Sequence, residues 1–206
     1  MRLEPCNRDI GILLSGRGSN FNAIADNIES GRLDARIAIV LSNKEDAPGL
    51  KEARRRGLKG VCLPSKGVSR AEFDRNAVEL LGENGVALVC LAGFMRILGP
   101  TFMRAFPCRI LNIHPSLLPA FPGLDAQSQA LEYGVRLSGC TVHFVDASLD
   151  GGPIVGQAMV PVLDGDTVDD LSARILVEEH KLYSEAIGKV LSGRCEIHGR
   201  RVLTHD

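Results

Sequence analysis

The chain has 206 residues, 45% of them apolar, and sets 24 basic against 25 acidic side chains for a formal net charge of -1. That length suits one domain rather than two, and the charge balance excludes a broad field for nucleic acid or an anionic membrane. No apolar run is long enough to span a bilayer, and the opening MRLEPCNRD is too polar for a secretory signal, so a cytoplasmic protein acting on small molecules is expected.

Short apolar runs at 10–14, 37–41, 61–63, 86–91 and 110–113 read as strands separated by helix-length segments. Runs such as VALVCLA do not alternate apolar with polar, as suits strands covered on both faces, and the strand-helix rhythm implies right-handed crossovers. The fold class is therefore α/β, a single-domain doubly wound, mainly parallel sheet. The arginine run Arg54, Arg55 and Arg56 precedes Gly57 and reads as a solvated helix end, where cations meet the dipole favourably. Past Ser138 the rhythm changes. Strands at 141–145 and 154–162 are joined by a connection too short for a parallel crossover, which predicts an antiparallel edge. Thr167 opens a long helix, with Asp170 placed for a capping box and Val168, Leu171, Ile175, Leu182, Ala186 and Val190 at helical spacing. The tail from Cys195 is unassigned. The six cysteines are scattered without a CxxC pair and read as reduced thiols; no metal site is expected.

Three stretches just past carboxyl ends of predicted strands carry the chemistry, on the edge where open α/β sheets bind ligands. Ser15-Gly16-Arg17-Gly18-Ser19-Asn20 opens the first helix, where backbone donors and the helix dipole favour a phosphate. Phe21 at the third glycine position, with Ser42 and Asn43 in place of a ribose-binding acid, disfavours NAD. Gly93 to Leu98 is unusually apolar for a loop and could wall a flat heterocycle. Asn112 and His114, two residues apart at a strand end, project from one face. They enter a stiff loop with Pro115, Pro119 and Pro122, in which Leu118-Pro119 is expected to be cis. If Asp150 of Asp150-Gly151-Gly152-Pro153 reaches the same edge, a protonatable imidazole, a carboxylate and an amide donor meet: equipment to stabilise an oxyanion and move a proton, without a covalent nucleophile.

SGRGSN, SNKEDAPGL, LAGFMRIL, NIHPSLLPAFPG, HFV and LDGGP occur in an order and spacing that resemble the phosphoribosylglycinamide formyltransferases, folate-dependent enzymes of purine synthesis, over residues 9–192. The resemblance implies a Rossmann-like formyltransferase fold, with Asn112, His114 and Asp150 catalytic. Gly18, Ser19 and Asn20 would hold the substrate phosphate and Glu179 the ribose. It also implies 10-formyltetrahydrofolate as formyl donor, its pterin against Met95, Arg96, Ile97 and Leu98 and the loop Val145, Asp146, Ala147, Ser148, Leu149, with Arg70 near its glutamate tail. A monomer or weak homodimer is expected. The chain departs from the family pattern at Ala120, at Asp125-Ala126-Gln127-Ser128 and at Leu176, all beside the expected phosphate pocket. The alternatives are a formyltetrahydrofolate hydrolase, similar around the same Asn, His and Asp, and a non-catalytic nucleotide-binding module, which would need only the glycine loop.

Overall fold

The computed structural model describes residues 5–205; residues 1–4, part of the polar opening, and residue 206 lie outside the description. The five early apolar runs form β1 (Asp9–Leu14), β2 (Arg36–Ser42), β3 (Gly60–Cys62), β4 (Leu88–Leu91) and β5 (Ile110–His114). Between them lie α1 (Ser19–Glu29), α2 (Pro48–Arg55), α3 (Arg70–Glu83) and α4 (Pro100–Ala105). Then follow α5 (Ala126–Tyr133), β6 (Leu137–Phe144), β7 (Ile154–Pro161), α6 (Val168–Leu191), β8 (Cys195–His198) and β9 (Arg201–Thr204). All strands join one nine-stranded sheet of order β3-β2-β1-β4-β5-β6-β7-β9-β8. Strands β1 to β5 pair in parallel; β5 with β6 and β6 with β7 pair antiparallel. The order reverses between β1 and β4, the switch point at which the strand ends part and leave a crevice.

The central strands β1, β4 and β5 are buried on both faces because helices cover both, whereas the edge strand β3 is only half-buried. Ile10, Ile12 and Leu14 of β1 face a core shared with Phe21 and Ile24 of α1 and with Tyr183 and Ile187 of α6; Leu13 faces the opposite core, with Phe73 and Leu81 of α3 and Phe102 of α4. Helix α6 begins at a complete capping box. Asp170 N donates to Thr167 Oγ1 at 3.2 Å, and Thr167 N donates to Asp170 Oδ2 at 3.0 Å. Tyr183 on its buried face puts its hydroxyl 3.0 Å from both the Leu91 and the Leu111 carbonyl oxygens, pinning the helix to the ends of β4 and β5.

Three sequence expectations are corrected. Strand β6 starts at Leu137 rather than Thr141, because Gly139 and Ser138 hid an apolar strand behind turn composition. The unassigned tail is the β8–β9 hairpin, which joins β7 through the pair Ile154 and Arg201. Arg56 is no solvated helix end: its side chain is 15% exposed and pairs with Asp26 and Glu29 of α1 as well as Glu52, clamping α2 to α1. Among the described residues no helix is long and apolar enough to cross a membrane.

Candidate active site

The glycine-rich loop bends from β1 into α1 through Gly18, the helix N-cap, at φ 75 and ψ 31, a left-handed conformation that favours glycine. No side chain caps the helix, so its first N–H groups remain donors for an anion. A second constraint also fixes Gly18. A Cβ there would lie 2.8 Å from Gly49 Cα, while Gly49 N donates to Gly16 O at 3.0 Å. The two loops are thus packed backbone to backbone.

Asn20 and Glu179 meet beside this loop. Asn20 Nδ2 donates to Glu179 Oε2 at 2.8 Å, and both residues are buried. Burial pushes the Glu179 carboxyl above its ordinary range; the Asn20 hydrogen bond and the charge of nearby His114 oppose that shift. Ser15 links the glycine-rich loop to the apolar one: its hydroxyl donates to Asn43 Oδ1 at 2.6 Å and accepts from Met95 N at 2.8 Å. Asn43, which stands where a dinucleotide enzyme has its ribose-binding acid, in turn donates from Nδ2 to Ser65 Oγ at 3.1 Å.

The apolar loop divides in two. Met95 and Ile97 are 69% and 62% exposed, and Leu149 in the loop after β6 is 65% exposed; such apolar surface suits a flat ring system. Leu98 instead points into the core with Phe102 and Phe73, so only its backbone remains for a ligand. Arg96 lies 4.8 Å over the Phe73 ring and donates to the carbonyls of Ser65 and Val68, a brace for the neighbouring loop. Arg70, exposed at the start of α3, passes beside Gly99 at the end of the loop, and the buried Asp74 accepts from Gly99 N at 2.8 Å. In the opposite wall Val145 packs on the core under α3 and α4. Asp146 accepts from Ser148 N at 2.8 Å, and Ala147 is exposed.

The structure brings Asn112, His114 and Asp150 together at the end of β5, with His143 among them. The antiparallel register sets His143 of β6 opposite Asn112. His143 Nδ1 lies 2.9 Å from the Phe144 carbonyl, which can only accept, so Nδ1 carries the proton and Nε2 accepts from Asn112 Nδ2 at 3.2 Å. Burial lowers the His143 pKa, consistent with that neutral form. Asn112 is thereby oriented with one amide hydrogen still to offer. Asp150 Oδ1 lies 3.7 Å from His143 Nε2; Asp150 Oδ2 lies 3.5 Å from His114 Nδ1 and accepts from Gly123 N at 2.8 Å. His114 Nε2 lies 2.8 Å from the Phe121 carbonyl, so it too holds a proton by necessity. Nδ1, facing Asp150, is the nitrogen left to gain and lose one.

Two residues of this assembly, Phe121 at φ 53 and Asp150 at φ 48, are non-glycine residues in left-handed conformation, backbone strain of the kind that gathers at working sites. The Leu118-Pro119 bond is cis, as expected. Nothing local in the sequence marks His143 as part of the site. It sits in a predicted strand inside HFV, and only the pairing of β6 with β5 reveals its partner.

A model of the family described as formyl transferase matches residues 8–187. The phosphoribosylglycinamide formyltransferase of Escherichia coli (strain K12) is 44% identical over 191 residues, covering 92% of this chain and 90% of that protein. Among solved structures, glycinamide ribonucleotide transformylase 1 from Symbiobacterium toebii superposes with a TM-score of 0.95 at 54% identity, covering 97% of this chain and 95% of that one. A formyltetrahydrofolate deformylase from Pseudomonas syringae pv. tomato has a TM-score of 0.90 at 26% identity; 97% of this chain matches 66% of that one.

Proposed function

The chain belongs to the formyl transferase family, and from that premise we propose how its site works. The protein is a formyltransferase of purine biosynthesis that formylates phosphoribosylglycinamide. Its donor is 10-formyltetrahydrofolate. The exposed Met95, Ile97 and Leu149 and the backbone of Leu98 receive the pterin, and Arg70, beyond Gly99, faces the glutamate tail. The first N–H groups of α1 at Gly18, Ser19 and Asn20 hold the phosphate, and Glu179, held by Asn20, accepts from the ribose hydroxyls.

The observation that carries this reading is the cluster at the end of β5, in which Asn112 donates to His143 and Asp150 lies within 4 Å of the ring nitrogens of both His143 and His114. The glycinamide nitrogen attacks the formyl carbon, and negative charge develops on the formyl oxygen. Asn112 Nδ2–H and protonated His114 Nδ1–H stabilise that oxygen, and Asp150 stabilises the imidazolium. As the bond from carbon to the folate nitrogen breaks, the proton lost by the attacking amine passes through Asp150 and His114 to the leaving nitrogen. Nothing in the scheme requires a covalent enzyme intermediate.

A hydrolase would pass through a similar adduct with water as nucleophile, and the deformylase match makes that the second reading. Incubation with 10-formyltetrahydrofolate alone separates them. The transferase reading expects little formate until phosphoribosylglycinamide is added, then rapid formylation of its amine, because orienting two bound reactants contributes roughly 7 to 11 kcal/mol. Rapid formate release indifferent to the ribonucleotide would overturn it.

A further inference from the structure

The loop that carries Phe121 to His114 is held by side chains of β6 and β7. Thr141, fully buried on β6 and paired with His114 in the ladder, has a saturated hydroxyl. Its Oγ1 donates to Ser116 O at 2.7 Å and accepts from Leu118 N and from Gln157 Nε2, each at 3.0 Å. Gln157 lies across from Thr141 on β7, and its Nε2 also donates to Leu118 O at 2.9 Å, so both amide hydrogens are engaged. Within the loop, Ser116 Oγ donates to Ala120 O at 2.5 Å and Ala120 N to Leu117 O at 3.1 Å. The next carbonyl is that of Phe121, on His114 Nε2.

This path is odd on simple packing grounds. Gln157 is an exposed residue of β7 whose outward neighbour Met159 is 71% exposed, yet its amide turns inward to a buried threonine and a loop carbonyl. A left-handed phenylalanine also reverts unless its surroundings over-determine it. A neutral imidazole exchanges its proton between two nitrogens, and a carbonyl fixed against one of them decides which.

We propose that Gln157, acting through Thr141 and the 115–121 segment, is a positioning residue that sets the tautomer of His114: it keeps the Phe121 carbonyl on Nε2 and so reserves Nδ1 for the proton that is moved. The proposal rests on the reading of His114 as catalytic. Removing the Gln157 amide frees Leu118 O and half-empties Thr141 Oγ1. The loop then relaxes, Phe121 leaves its strained conformation, and part of the His114 population carries its proton on Nδ1, where it cannot accept one beside Asp150.

The test is Gln157→Leu, which keeps side-chain size on a strand surface, with Thr141→Val and Thr141→Ser as companions. Nitrogen-15 NMR of the unliganded full chain reads the tautomer directly. His114 should be the Nε2–H form in the parent and a mixture in Gln157→Leu and Thr141→Val, with Thr141→Ser restoring the parent signal. Turnover with 10-formyltetrahydrofolate and phosphoribosylglycinamide should fall about tenfold in kcat for Gln157→Leu, with KM for both substrates within about twofold. The loss should vanish when Gln157→Leu is placed in a His114→Ala background. An unchanged tautomer, a KM rise without loss of kcat, or a tenfold loss that persists without His114 would each overturn the proposal. Normal turnover in His114→Ala alone would instead sink the catalytic reading, leaving the tautomer measurement to stand or fall by itself.

Discussion

In the proposed mechanism the working groups on the β1 side of the crevice are main-chain N–H groups of a loop locked by Gly18 against Gly49, whereas on the β5–β6 side they are the side chains Asn112, His143, Asp150 and His114, gathered around one another. The first half is built into the fold, because the loop that would bind is itself packed backbone to backbone. The second is mounted on it. Substitution should therefore cost structure on one side and chemistry on the other.

The largest effect expected under that contrast is His114→Ala, which should lose at least about a hundredfold in kcat with both substrates still bound and the urea midpoint little changed. A large drop in stability would erase the distinction. Gly18→Ala comes next and should show the converse. A Cβ at φ 75 and 2.8 Å from Gly49 Cα strains both loops, for a loss of roughly 2 kcal/mol in denaturation. Because Ser15 ties this loop to Met95, binding of both substrates should weaken, whereas the sequence alone suggests a defect confined to the phosphate. Tyr183→Phe removes a buried hydroxyl from two strand-end carbonyls and should cost about 1 to 2 kcal/mol, measured by the same titration.

The smallest effect is in pH. Burial holds the His143 pKa below its usual value of about 6.5, so the unfolded chain binds the proton more readily than the fold does. That contribution to stability is complete above about pH 6.5 and is lost as pH falls below it. The thermal midpoint should therefore decline between pH 7.5 and 5.5, less steeply in His143→Gln. Part of the slope should survive, because burial lowers the His180 pKa in the same direction.

What could be read from the residues divides along the same line. The central parallel strands show as continuous apolar runs because both faces are buried, and the glycine-rich loop and the start of α6 are local in sequence, so glycine placement and a capping box announce them. Side chains that act across strands are legible only in part. Asn112 and His114 share one strand and declare themselves by spacing, but the role of His143 depends on its register opposite Asn112 and that of Gln157 on its place opposite Thr141, and neither pairing is encoded locally. The β8–β9 hairpin escaped because its strands are four residues each, with only two apolar residues apiece. Leu98 misled for the opposite reason: an apolar residue in an apolar loop says nothing of which way it turns, and here it turns inward.

Tyr183 has a wider consequence than its two carbonyl contacts. Glu179 lies four residues before it, about one helical turn toward the site and on the same face of α6. With the helix bolted through that hydroxyl to β4 and β5, and the carboxylate tethered by Asn20, Glu179 has few arrangements to sample before a ribose arrives. Most of the ordering that binding would demand of this side chain is completed when the chain folds, so under the proposed function a ribose would gain the contact without that side chain's conformational entropy being surrendered a second time.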